Sequence, residues 1–180
     1  HQVKLPHLLA FSLQVSGMQS ESLGNTDKDV FDKYGLVWIV TDYAIEIDRL
    51  PRYNEKVTIT TEAISYNKIF CYRNFYITDE TGQQIMLFKT TFALMDYETR
   101  KVAEVPDEVV APYGADKIKK LIRGPRYKAL ENPIETLYRV RYFDLDMNGH
   151  VNNSKYLEWM LDVFDLDFLT KCTPAHIDLK

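Results

Sequence analysis

Asp146, Asn148 and His150 stand two residues apart within Asp146-Met147-Asn148-Gly149-His150-Val151-Asn152-Asn153. A carboxylate, a carboxamide and an imidazole are groups that orient and polarise a carbonyl under attack and move its protons. In an extended segment this i, i+2, i+4 spacing puts all three side chains on one side, whereas a helix turns the middle one away. An extended backbone that lets them converge on one substrate is therefore expected, with Gly149 admitting a conformation other residues resist. Asn152 or Asn153 suits the N-cap of the helix expected next, so free N–H groups and the positive end of the helix dipole point at the same place. Such an end holds an oxyanion. Losing one aligned donor there typically costs about 10²–10³ in rate, and general acid–base groups add roughly 10²–10⁴.

Other readings compete for the same residues. Asp144-Leu145-Asp146-Met147-Asn148-Gly149 matches the first half of a calcium-binding EF-hand loop, but the twelfth position, which should bring a bidentate Glu, is Lys155. The preceding Leu137–Phe143 is strand-like where that motif needs a helix. The bland alternative is that Asp and Asn turn the chain and cap the helix, with His150 a satisfied polar residue. Spacing alone does not separate that reading from the chemical one. Cys71 paired with a histidine is a further candidate nucleophile, although its place in an alternating strand pattern favours a packed thiol.

These residues need a scaffold. Leu5 to Val15 has apolar residues at helical spacing with Pro6 in the first turn, which predicts a helix, and the polar Ser22–Asp27 reads as a connection. Leu36 to Arg49 predicts a long β segment, followed by a turn at Pro51 and Asn54. Val57 to Ile64 alternates with period two; Asn67-Lys68 turns the chain into Ile69–Thr78, and Asp79-Glu80-Thr81-Gly82 into Gln84–Met95. The expectation is an antiparallel meander curled around the single helix. Residues 105–134 break the pattern and are expected to form a linker with a short helix over Ala115–Ile122. Lys117, Lys119, Lys120, Arg123, Arg126 and Lys128 face only Asp116 there, a locally basic surface that is either a solvated loop or a dock for an acidic partner.

Beyond it, Thr136–Phe143 reads as a strand, Asn153–Phe168 as an amphipathic helix with Tyr156, Leu157, Met160, Leu161 and Phe164 inward, and Ala175–Lys180 as the start of another strand. Helix followed by strand occurs twice, so the second part repeats the first. The expected division is residues 1–104, a linker 105–134, and residues 135–180 as the start of a second domain. The repeat is incomplete, and segments are expected to be missing at both ends.

With 180 residues, 46% hydrophobic and 27% charged, the chain is long enough to bury a core. A net charge of −4 gives no reason to expect nucleic acid. No run approaches the roughly 18 apolar residues of a membrane-spanning helix, and no charged-then-apolar leader opens the sequence, so a cytoplasmic location without membrane insertion is expected. Two distant cysteines, Cys71 and Cys172, predict reduced thiols.

Asp146-Met-Asn148-Gly-His150-Val-Asn152-Asn153-Ser-Lys155-Tyr156 followed by Trp159 resembles the signature of plant and bacterial acyl-acyl carrier protein (acyl-ACP) thioesterases. Tyr34-Gly35-Leu36-Val37-Trp38, the Arg49-Leu50-Pro51 turn and Val57–Tyr66 extend the likeness over nearly the whole chain. The resemblance implies an α+β fold of tandem hotdog domains, each a long helix wrapped by a curved antiparallel sheet. The first domain would house the acyl chain and the second would carry the catalytic residues. It also implies hydrolysis of fatty acyl-ACP to free fatty acid, without metal or organic cofactor. Asp146, Asn148 and His150 fall on the family's catalytic pattern, and a further acid that activates water would lie beyond Lys180. Gly149 and Val151 are expected beside the substrate and Trp38 along the acyl groove, with ACP as partner and a homodimer left open. An acyl-CoA thioesterase of the same fold, or a hotdog protein that binds acyl groups without turnover, are the alternatives.

Overall fold

A computed structural model of the protein describes residues 3–146 and 149–180. Helix α1 (Leu5–Ser22) begins as expected, and its Leu5, Leu8 and Leu9 are buried on one side. A second helix, α2 (Asp27–Tyr34), occupies residues whose polar character hid it. Its signals are local: Thr26 Oγ1 accepts the Asp29 amide at 3.2 Å while Asp29 Oδ2 accepts the Thr26 amide at 2.9 Å. This reciprocal capping box starts the helix, and Gly35, at φ 67°, ends it.

Four long strands follow: β1 (Leu36–Ile47), β2 (Thr58–Tyr66), β3 (Phe70–Thr78) and β4 (Gln84–Asp96). The meander β2-β3-β4 is antiparallel, and β1 lies along the far side of β4. Side chains make the turns. Asn67 Oδ1 accepts the amides of Ile69 and Phe70, each at 2.9 Å, and Asp79 Oδ1 accepts those of Thr81 and Gln83 at 3.0 and 3.1 Å. The Arg49 guanidinium then ties Asp79 (2.8 Å) to Glu55 (2.7 Å), clamping the β3–β4 turn to the connection between β1 and β2.

A register shift between Val40 and Asp42 inserts one extra residue into β1. It moves Tyr43, Ile45 and Ile47 onto the face already occupied by Trp38 and Val40, so the whole strand packs inward. That face and the start of α1 build the main core around Phe75, Ile77, Met86 and Phe88. A second cluster, around Val30, Leu94, Val105 and Val109, seals the end of the sheet under α2.

The remaining elements are β5 (Val102–Ala103), α3 (Asp107–Val110), β6 (Asp116–Lys117), α4 (Asn153–Asp162), α5 (Leu166–Lys171) and β7 (His176–Leu179). Their placement corrects several expectations. Residues 115–122 are not helical: β6 pairs in parallel with β2, and the Ile118 amide continues the contact by donating to Tyr66 O at 2.8 Å. The backbone thus satisfies its polar groups on the sheet edge instead of within a helix. Thr136–Phe143 forms no strand. A ladder needs a partner, none of the described residues supplies one, and Leu137 is 97% exposed. The long helix expected over Asn153–Phe168 is two helices, because the Asp165 side chain accepts the Phe168 amide at 2.7 Å and starts a new one. Of its expected inward residues, Leu157 is fully buried and Leu161 packs against the core, while Tyr156, Met160 and Phe164 are exposed.

The strand expected near the end of the chain forms, in an unexpected place. β7 pairs antiparallel with β1, Tyr43 opposite Leu179 and Glu46 opposite His176. The sheet therefore runs β6-β2-β3-β4-β1-β7, with β5 on β4, and draws on both parts of the chain. Among the described residues no helix is long and apolar enough to cross a membrane.

Candidate active site

Where an extended segment was expected, Asp146 and His150 close on each other. The Asp146 amide donates to His150 O at 2.7 Å, and Asp146 O accepts the Gly149 amide at 3.1 Å. Gly149 sits at φ 74°, the left-handed region that favours glycine, and an added Cβ would meet nothing within 4 Å, so its requirement is conformational. Asp146 Oδ1 accepts the His150 amide at 3.0 Å, which makes its carboxylate the brace of the turn. Val151 bridges back to Leu145, and the Asn152 amide donates to Asp144 O at 2.7 Å. Asn148 lies outside the described residues.

Asn152 is the N-cap of α4, its Oδ1 accepting the Ser154 amide at 3.0 Å and the Ser154 hydroxyl at 2.8 Å. The Lys155 amide goes to Asn152 O at 2.9 Å. The cap thus uses part of the first turn and leaves the Asn153 amide without an intramolecular acceptor among the described residues. Asp144, buried, receives the Arg141 amide at 2.8 Å and faces the Lys155 ammonium at 3.7 Å. An ammonium beside the first would-be calcium ligand counts against the EF-hand reading.

His150 is turned elsewhere. Its Nε2 meets Nη1 of Arg100, a residue at φ 58° in the turn after β4. A guanidinium can only donate, so the facing imidazole nitrogen is the lone-pair one.

A cavity of about 390 Å³ lies beside the motif. Its cause can be read along α1. The helix contacts the sheet through Leu5, Leu8 and Leu9 in its first half, but Ser16, Gly17 and Ser20 line the cavity in its second half. Small side chains there leave room between helix and sheet. Trp38 and Val40 of β1, Ala63 of β2, Cys71 and Arg73 of β3 and Phe92 of β4 supply the opposite wall, with Trp38 meeting Phe92 edge-on at 6.2 Å. Asp146, Asn152 and Asn153 line the same space. Gly149, His150 and Val151 are not among the lining residues. Burial pushes the Cys71 thiol up to about 12, where the thiolate is scarce, so the packed-thiol reading fits it better than a nucleophile. The cavity wall contributed by α1, and the cap that spends two amides on Asn152, were not foreseen. The serine and glycine spacing of α1 carried the first signal.

The sequence matches the family model of the acyl-ACP thioesterase N-terminal domain over residues 1–113 and that of the C-terminal domain over residues 127–180. The chain belongs to the acyl-ACP thioesterase family. An acyl-[acyl-carrier-protein] hydrolase of Cuphea viscosissima, described as chloroplastic, is 29% identical over 81% of this thioesterase-family chain and 37% of its own length. A chloroplastic palmitoyl-acyl carrier protein thioesterase of Arabidopsis thaliana is 28% identical over 83% of the chain and 38% of its own length. The chain thus spans little more than a third of these plant relatives. Among solved structures, a protein from Lactobacillus plantarum described as an oleoyl thioesterase superposes with a TM-score of 0.91 at 37% identity, covering 98% of this chain and 70% of that one. The 12:0-ACP thioesterase of Umbellularia californica, at 20% identity and a TM-score of 0.79, shares the fold. The helix held in a curled sheet is accordingly a hotdog fold.

Proposed function

We propose that the intact protein hydrolyses the thioester of fatty acyl-ACP, releasing free fatty acid and ending chain elongation. One observation carries the reading: Asp146 and the capped start of α4 open onto the cavity under the small-residue half of α1. An acyl chain lying against Trp38 and Phe92 would bring its thioester to that helix end. There the Asn153 amide and the helix dipole are available for the negative charge that develops on oxygen when water attacks. Asp146 acts through the backbone it braces, so it is a positioning residue as well as a source of field. Asn148 is assigned to polarise the reacting group, and Gly149 and Val151 to shape the turn beside it. The part of His150 rests on the resemblance alone, since its ring faces Arg100. The division into residues 1–104 as the acyl-chain domain, 105–134 as linker and 135–180 as the start of the catalytic domain belongs to the same proposal.

ACP is acidic, and the linker offers it a surface. Lys117 is neutralised by Asp107 at 2.6 Å, but Lys119, Lys120, Arg123, Arg126 and Lys128 are exposed and unpaired among the described residues. Steering by such a patch weakens with salt.

The test is release of carrier thiol from a panel of acyl-ACPs and the matching acyl-CoAs by the intact gene product and its Asp146→Ala variant. Rapid release from ACP, reduced about 10²-fold or more in the variant and with a Michaelis constant that rises with salt, is expected. Equal or better turnover of acyl-CoA would move the assignment to the coenzyme A reading. No turnover on either carrier by folded protein would leave an acyl-binding module.

A further inference from the structure

The cavity is not apolar throughout. Arg73 is only 9% exposed, and its guanidinium lines the space that the proposed reaction gives to the acyl chain. Its Nη1 donates to Gln19 Oε1 at 2.6 Å and to Thr61 Oγ1 at 2.8 Å, and its charge lies 5.1 Å from the centre of the Tyr113 ring. Among the described residues no carboxylate pairs with it. The N–H groups of Nε and Nη2, three of the five an arginine carries, find no acceptor among the described residues. Burial pulls this group below the ordinary guanidinium range, against the smaller opposing influence of Tyr113 and Cys71.

Neighbouring strands repeat the pattern. Thr90 stands opposite Arg73 in register, and Tyr43 stands opposite Thr90. Both hydroxyls are buried without a hydrogen-bond partner among the described residues, and they lie in the core next to Arg73 without lining the cavity themselves. A band of polar groups thus crosses the middle of a sheet face that is otherwise built from Ile, Phe, Met and Val. Buried polar groups are normally paired, and Arg73 is the member of this band that reaches the cavity.

We infer that the cavity selects acyl chains bearing an oxygen, as a hydroxyl, keto or carboxylate group, on the part of the chain that reaches Arg73. The physical basis is what happens to water. A plain alkyl chain entering the cavity drives water off the open guanidinium donors and strands them, whereas a chain oxygen takes over those bonds. A site built to bond an oxygen rejects the analogue without it far better than an apolar pocket rejects an added one. Arg73 is then the specificity-determining residue. The inference deepens the thioesterase reading and rests on it for the identity of the ligand.

The test compares plain with terminally hydroxylated acyl-ACPs, from eight to sixteen carbons, on the intact protein and on the Arg73→Met variant, which keeps an unbranched apolar stem without the charged head. Binding of the corresponding free acids is measured in parallel by calorimetry. At one chain length or more the wild type should favour the hydroxylated chain by about ten- to a hundredfold in kcat/KM, the factor of one charge-assisted hydrogen bond, and the ratio should fall towards one in the variant. Equal treatment of the two series by the wild type would overturn the inference. So would a preference for plain chains at every length, with the variant accepting longer ones, because Arg73 would then be only an end-stop. Should the variant fail to fold, the wild-type ratio decides. Absence of turnover on every thioester, with selective binding of hydroxylated acids, would remove the thioesterase reading and leave the selectivity standing.

Discussion

At the scale of single residues, the motif's conformation is set by backbone as much as by side chains. Gly149 holds a left-handed φ of 74° at the point where the chain reverses between Asp146 and His150. Gly149→Ala keeps the space free of clashes but forces an L-residue into that region, at a cost of about 1–3 kcal/mol. A lower melting temperature together with reduced thioester turnover is expected. A variant as stable and active as the wild type would show that the turn adopts another backbone in solution. The i, i+2, i+4 spacing predicted an extended segment with three converging side chains, whereas the His150 ring faces Arg100 and Asp146 lines the cavity. A two-residue period is equally compatible with an extended strand and with a turn that Asp146 Oδ1 closes on the His150 amide. Nor could the sequence announce that Arg100, fifty residues earlier, would engage the imidazole.

At the scale of elements, local signals were legible wherever side chains wrote them. Asn67-Lys68 and Asp79–Gly82 turned the chain where their hydrogen bonds predict, and Asn152 capped α4. An Asn152→Ala variant should lose about 1 kcal/mol in a denaturant melt, while Asn152→Asp should keep most of it. The Asp79 turn also makes a prediction about pH. Hydrogen bonds from the Thr81 hydroxyl, then the Arg49 guanidinium and the Thr81 and Gln83 amides, hold the Asp79 carboxyl down to about 2. A depressed carboxyl stabilises the fold above the ordinary carboxylate range, near about 4, and that stability is lost as pH falls towards 2. Asp79→Asn should therefore be less stable than wild type at neutral pH and converge with it in acid unfolding near the lower limit. Parallel curves that never meet would exclude this group as the source. What stayed hidden were elements fixed by distant partners. Asp116–Lys117 became a strand because β2 offered an edge; Thr136–Phe143 formed none because none of the described residues did, and its last two residues enter a 3-10 turn, Tyr142–Asp144. The capping box of α2 was present in the sequence, but too few apolar residues accompanied it to raise a helical pattern.

At the scale of the molecule, the segment between the two parts is more than a tether. After β6 it crosses the outer face of the sheet. The Ile122 amide donates to the Tyr72 hydroxyl at 3.0 Å, Asn67 Nδ2 donates to Lys120 O at 3.3 Å, and Lys180 Nζ reaches Pro125 O at 2.5 Å while lying 4.0 Å from Asp42. Tyr127 is bonded to Asp178 on β7. Tyr72→Phe removes one of these anchors and leaves the core face of β3 untouched. Trypsin should then cut after Arg123 and Arg126 several times faster, with the melting temperature nearly unchanged. An unaltered digestion rate would mean that the strap is held by its other contacts.

The ladder between β7 and β1 carries its own liability. Tyr43 to Glu46 are covered on that side by His176–Leu179, so synthesis must pass Leu179 before the edge closes. Until then, or in any shortened version that stops before His176, β1 presents unpaired backbone flanked by Val40, Ile45 and Ile47. Such an edge is a template for another molecule's strand. Fragments of this protein are thus expected to fail by clumping together, through an otherwise sound first sheet, before they fail by unfolding.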